Sequence, residues 1–240
     1  MTDFVAVLAT RLGRVGMDLV GATSVAAYDA RMPAGRTLAA DAGGARGVVV
    51  AGNGGRAFWD AFRADGACVG NDPLDAFTRR VVEDAVRDVP GATCRFPFEP
   101  APRQLDFRLL AELAGLGRPS LVGVLVHPVY GPWIALRAAI LVPDDVTAPR
   151  PADGFDPCPT CVERPCIAAC PAGVVGPNGW DVAGCAAHRL AAVANCADGC
   201  AARIACVYGR EHHYPPDALA FHQAAARRTM AAYASAARKA

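Results

Sequence analysis

Lysine is almost missing from this 240-residue chain: Lys239 is the single one, and arginine supplies the other positive charges. The 24 basic side chains are met by 23 acidic ones, which leaves a formal net charge of +1. Without a basic excess there is little to grip a phosphate backbone, so nucleic acid is not an expected partner. No apolar stretch of about 18 residues runs free of charge, so no membrane-spanning helix is expected. The beginning of the chain carries Asp3, Arg11 and Arg14 and lacks the apolar run and cleavage site of an export signal. The expected compartment is therefore the cytoplasm, where thiols stay reduced and metal ligation is the commoner use of many cysteines.

What is present is ample apolar material, 53% of residues, enough for a buried core. Phe4, Val7, Leu8, Leu12 and Val15 recur at helical spacing. A short strand follows over 17–23, and the run Arg46–Ala51 has the apolar continuity of a buried strand. That strand leads into Gly52-Asn53-Gly54-Gly55 and a helix over 56–63. The glycines could cradle a phosphate at a helix start, but Ala57 stands where a dinucleotide fingerprint needs its third glycine. A plain turn is the better reading.

Pro73 opens a helix to Val89 with Leu74, Phe77, Val81, Val82 and Ala85 on one face. Further elements are expected as strands over 92–98, 121–126 and 134–142 and a helix over 104–114. Alternating helices and strands indicate an α/β (α+β) domain with a mixed sheet, spanning residues 1–145. Residues 143–157 form a proline-rich joint, and a last helix is expected from Ala218 to about Lys239. Cys68 and Cys94 lie far from the other cysteines and read as small apolar residues.

Eight of the ten cysteines fall between Cys158 and Cys206. The run opens Cys158-Pro-Thr-Cys161, continues to Cys166-Ile-Ala-Ala-Cys170-Pro171, and adds Cys185, Cys196, Cys200 and Cys206. Bacterial ferredoxins hold [4Fe–4S] clusters with C-x2-C-x2-C-x3-C-P, the fourth cysteine serving the other cluster. This chain keeps the first gap, the last gap and the proline, and widens the middle gap. An iron cube takes three thiolates from one tight loop and a fourth from a distant segment. Two groups of four cysteines therefore suit two cubic clusters that exchange one ligand each, in a ferredoxin-like module over 146–215 ahead of a C-terminal helix over 216–240. Zinc ribbons compete, but they use paired C-x2-C ligands, and only Cys158/Cys161 has that spacing. A disulfide framework belongs to small secreted domains. His212, His213 and His222 lie close to the run in sequence and are expected beside the clusters or at the surface, not as ligands.

Ala111-Glu-Leu-Ala-Gly-Leu-Gly117 and His127-Pro-Val-Tyr-Gly-Pro-Trp133, taken with the cysteine run, resemble the signatures of epoxyqueuosine reductase and its cobalamin-dependent relatives. That resemblance implies a nitroreductase-like domain able to bind cobalamin, joined to a module with two [4Fe–4S] clusters. It implies one cluster on Cys158, Cys161, Cys166 and Cys206, and another on Cys170, Cys185, Cys196 and Cys200. It also implies that Gly117, Tyr130, Gly131 and Trp133 shape the cofactor pocket. The family's D-x-x-P acid has no clear counterpart; Glu99, ahead of Pro100, is the carboxylate nearest that place. Cys200 and Cys206 are spaced more widely than in the family, Val207 stands in place of a proline, and the family's helical-repeat extension is not found. The expected function is one-electron transfer by an iron–sulfur protein serving a redox partner protein. The alternatives are a cobalamin-dependent reductase of a small molecule and a cobalamin-handling protein.

Overall fold

The computed structural model describes residues 4–39, 42–66, 70–100, 105–191, 196 and 198–237. Cys68 and the expected ends of two helices, at Gln104 and Lys239, lie outside them. The chain begins α1 (Phe4–Gly13), β1 (Leu19–Ser24), α2 (Val25–Asp29), β2 (Gly47–Gly54) and α3 (Ala57–Asp65). It continues α4 (Pro73–Val86), β3 (Thr93–Arg95), α5 (Phe107–Leu113), β4 (Arg118–Pro119), β5 (Leu125–Val126) and β6 (Ile134–Val142). Short pieces follow: α6 (Pro157–Thr160), α7 (Pro165–Ala169), β7 (Val175–Gly176) and β8 (Gly179–Trp180). The last elements are α8 (Val182–Leu190), α9 (Ala201–Ile204) and the long α10 (Pro216–Ala237). Two compact units result, one of residues 1–118 with 134–154 and one of 119–133 with 155–240.

The first unit is built on a four-stranded sheet in the order β1-β2-β6-β3. β2 is central because every residue of it is buried, with Val48, Val49, Val50 and Ala51 wholly removed from solvent. Such a run can only sit between two strands and beneath cover on both faces. The sheet is antiparallel at every pairing, for example Val48 opposite Leu141 and Thr23 opposite Val48. The expectation of a mixed sheet is thus corrected. Helices between strands suggest parallel crossovers, but the helices here do not return the chain to a parallel neighbour.

The turn expected at Gly52–Gly55 is corrected too: Gly52, Asn53 and Gly54 continue β2, paired with Leu136, Ala135 and Ile134, and open no parallel dinucleotide-binding unit. Asn53 is buried, and its carboxamide oxygen accepts from Arg137 Nε at 2.8 Å. Helix packing completes the core. α4 begins on Pro73 as expected and buries Leu74, Phe77, Val82 and Val86. Phe77 meets Phe58 and Phe62 of α3 at ring distances of 5.3 and 5.7 Å. Arg11 of α1 donates to the Ala85 carbonyl at 2.8 Å and pairs with Asp88, tying α1 to the end of α4. Tyr28 accepts the Asp106 N–H, and Asp106 in turn caps α5 through the Leu109 N–H, each at 2.9 Å.

The second unit is made of short pieces around a thin core. Among the described residues its buried apolar side chains are Leu125, Val126, Trp133, Val175 and Tyr214, with Ala186, Ala202, Ala218 and the prolines Pro132 and Pro157. The strand expected over 121–126 shrinks to Leu125–Val126. α10 runs against α8, and α7 against α9. Among the described residues no helix is long and apolar enough to cross a membrane.

Candidate metal centres

Turns and helix ends, not long elements, present the cysteines. Cys158 lies in α6 and Cys161 closes it, its N–H donating to the Cys158 carbonyl at 3.3 Å. Cys166 sits in the first turn of α7, and Cys170 ends that helix in extended backbone. Arg164 bends the chain between Cys161 and Cys166. It holds φ 42°, and no other non-glycine residue among those described has positive φ. The two extra residues of the widened gap are accommodated at this strained turn. Cys185 is carried by α8, whose first turn is capped by Asp181 on the Gly184 N–H at 3.1 Å. Cys200 precedes α9 and Cys206 follows it, its N–H on the Arg203 carbonyl at 3.2 Å.

All eight thiols of the run are free. They gather around two recesses. Cys158, Cys161, Cys166 and Cys206 line one of about 390 Å³ of empty space, with Val126 and Tyr208. Cys170, Cys185, Cys196 and Cys200 line another of about 950 Å³. Electrostatics divides the cysteines the same way. Burial pushes the Cys166 thiol up, and the nearby Cys158, Cys206 and Cys161 push it further. Burial likewise raises Cys206, opposed by a hydrogen bond from the Tyr208 backbone. Cys185 is raised by burial against a hydrogen bond from the Trp180 side chain and the charge of Arg189. Cys196 is raised by burial and by Cys200, with Arg189 again acting the other way.

Thiols crowded in this way resist becoming thiolates unless a cation compensates them. Among the described residues no group of three or more His, Cys, Asp or Glu side chains is arranged to hold a metal ion. Each set of cysteines instead borders a space. Tetrahedral Zn–S bonds of about 2.3 Å would draw four sulfurs around a point, whereas a cubic cluster keeps its ligands farther apart. In donor type and number, each set fits the four-thiolate requirement of a [4Fe–4S] cluster.

The segment His127–Trp133 belongs to the unit that carries these cysteines. His127 and Gly131 exchange backbone hydrogen bonds at 2.8 and 2.9 Å, and His127 Nδ1 accepts the N–H groups of Val129 and Tyr130. The resulting loop presses backbone to backbone on Tyr208-Gly209. A Cβ on Gly131 would lie 2.1 Å from the Tyr208 carbonyl oxygen, and one on Gly209 2.3 Å from the Tyr130 carbonyl carbon. Glycine is required at both. Arg203 donates to the Pro132 carbonyl through Nε at 3.0 Å and Nη2 at 2.6 Å, and lies 4.7 Å over the Trp133 ring.

Trp133 is fully buried, with His213 at 4.3 Å and Tyr214 at 5.5 Å between ring centroids. Tyr130 stays half-buried, edge-on to His212 at 4.7 Å. Burial, then the charges of Arg210 and Arg203, lower the pKa of His213 and favour its neutral form. Gly117 and Glu99 lie in the other unit. Gly117 is buried. Glu99 accepts the Phe96 N–H at 3.3 Å and faces Arg79 at 3.7 Å, with its side chain 11% exposed.

Sequence reasoning missed His188, Arg189 and Gln223, which line the second recess. The signal was available for two of them. On α8, His188 and Arg189 follow Cys185 by three and four residues and so share its face.

No protein-family model matches the chain, and no curated protein matches it. Solved structures do. One is an epoxyqueuosine reductase with an epoxyqueuosine-modified tRNA-Tyr stem loop, at 17% identity and TM-score 0.56. The enzyme of Bacillus subtilis matches at 17% and 0.54, and that of Streptococcus thermophilus at 15% and 0.56. The chain spans 66% of the length of each of these structures. Over 87% of its own length the chain therefore shares the fold of epoxyqueuosine reductase.

Proposed function

We propose that this chain is an iron–sulfur redox protein that holds two [4Fe–4S] clusters and exchanges single electrons with a one-electron carrier protein. The carrying observation is the partition of eight free cysteines between two recesses, four to each. The ligand sets are Cys158, Cys161, Cys166 and Cys206 for the first cluster, and Cys170, Cys185, Cys196 and Cys200 for the second. The ferredoxin-like module is proposed for residues 146–215, of which 155–215 cluster with 119–133 and 146–154 with the first unit. Residues 1–145 otherwise form the α/β domain, and 216–240 the closing helix. When bound, the clusters supply reversible one-electron chemistry. The chain's own part is to half-bury the cysteines, to donate hydrogen bonds from Tyr208 and Trp180 to Cys206 and Cys185, and to set the local charge.

The thin core of the second unit supports the same reading. With so few apolar side chains buried, metal ligation becomes a main source of folding energy. Anaerobic purification should yield about eight irons and as many labile sulfides per chain. Stoichiometric zinc without broad visible absorbance overturns the proposal.

The shared fold favours a second reading, a cobalamin-dependent reductase of a small substrate, with Glu99 as the acid and Tyr130, Gly131, Trp133 and Gly117 near the cofactor. A net charge of +1 gives this reading no support for a nucleic-acid substrate. Titration with cob(II)alamin, followed by electron spin resonance, tests it. A spectrum identical to free cofactor at every protein concentration rejects this reading and cobalamin handling together.

A further inference from the structure

The two cysteine recesses differ in charge. Among the described residues, Arg164 is the one charged side chain lining the first. The second is lined by Arg189 and Arg203, and no carboxylate among the described residues faces it. The guanidinium of Arg203 is already engaged by the Pro132 carbonyl. Arg189 is held differently. Its Nη2 donates to the side-chain oxygen of Gln223, a residue of α10 that is only 7% exposed. Its Nε is buried with no partner among the described residues, and the same is true of His188 Nε2 beside it. Asp181, the residue ahead of α8, is occupied by its capping bond to the Gly184 N–H.

A cubic cluster on four thiolates is anionic, and more so after it gains an electron. A fixed cation in a partly desolvated recess favours the reduced form. We infer that Arg189, positioned by Gln223, compensates the charge of the cluster on Cys170, Cys185, Cys196 and Cys200 and makes it the higher-potential of the two. An electron delivered by a one-electron carrier to the first cluster then passes to the second. Oxidation of the first and reduction of the second balance at one electron. This rests on the two-cluster reading.

The experiment is a redox titration of the whole anaerobic chain, monitored by spin resonance, for the unmodified protein, R189Q, R189K and Q223L. R189Q should lower the higher of the two midpoint potentials by at least a tenfold change in its reduction equilibrium, which is about 59 mV for one electron. The lower potential should stay in place, and R189K should recover most of the change. If R189Q does not retain iron, Q223L is read in its stead. It keeps the charge but lets it drift toward solvent, and should lower the same potential. Two unmoved potentials in an iron-replete variant, or movement of the lower one alone, overturn this inference and leave the clusters standing. Absence of iron from the unmodified chain overturns both.

Discussion

Replacing Gly131 by alanine asks whether the His127–Trp133 loop holds the first cluster's ligands in place. Gly131 has φ +55°, and an added Cβ would stand 2.1 Å from the Tyr208 carbonyl oxygen and 2.5 Å from its carbon. Both obstacles are backbone, so no side chain can swing aside. Left-handed backbone costs a non-glycine residue about 1–2 kcal/mol, and forced overpacking about 1–3 kcal/mol more. The sum, roughly 2–5 kcal/mol, is a large part of the 5–15 kcal/mol that typically holds a domain together. The strain falls on Tyr208, whose backbone hydrogen bond supports Cys206 two residues away. G131A should therefore unfold at lower denaturant and lose iron from the first set while the second keeps its own. Anaerobic denaturant titration with iron analysis measures both effects. G13A is the control, because a Cβ there meets nothing within 4 Å. An unchanged unfolding midpoint with full iron in G131A would refute the clamp.

Cys206→Ala should also remove the first cluster, because Cys206 lines the same recess as Cys158, Cys161 and Cys166, and should lower the melting temperature of the protein. Full iron with unchanged melting would refute the exchanged assignment. Cys94 should be inert: burial and then the charge of Glu83 push its thiol up to about 11, against an ordinary value of 9.0. Its alkylation in the native protein near pH 8, followed by peptide mapping, should run roughly a hundredfold slower than in unfolded chain. The sign of the linkage follows from that raised pKa. Keeping this thiol neutral contributes stability that is complete below pH 9.0 and fades as the pH rises toward about 11. Equal labelling rates in folded and unfolded protein would contradict the buried placement.

Spacing in the sequence made a ferredoxin-like cysteine pattern legible, while the division of the eight into two sets of four was an implication of the resemblance to epoxyqueuosine reductase. β2 and β6 were legible as well, because the apolar stretches Val48–Ala51 and Ala138–Val142 fit a buried sheet. Strand direction was not. Helices alternating with strands do not state which neighbour a strand pairs with, and the expected mixed sheet is antiparallel at each pairing. Residues 121–124 misled because they are apolar for another reason. Leu121 and Val122 line the first recess, and Gly123 leaves room for the Trp180 ring, 2.1 Å from where its Cβ would stand. Tyr130 and Trp133 carried no mark in the sequence to distinguish a pocket wall from a packed clamp. Their burial is decided by Arg203, His212, His213 and Tyr214, some 70 to 80 residues later. Arg189 escaped notice because a cation beside cysteines looks ordinary until a recess with no carboxylate among its described residues surrounds it.

Mössbauer spectroscopy of protein loaded with iron-57, paired with iron and sulfide analysis, tests the two-cluster assignment most directly. The assignment predicts about eight irons per chain, all in [4Fe–4S] environments with matching labile sulfide. About four irons per chain, or tetrahedral zinc in place of iron, would contradict it.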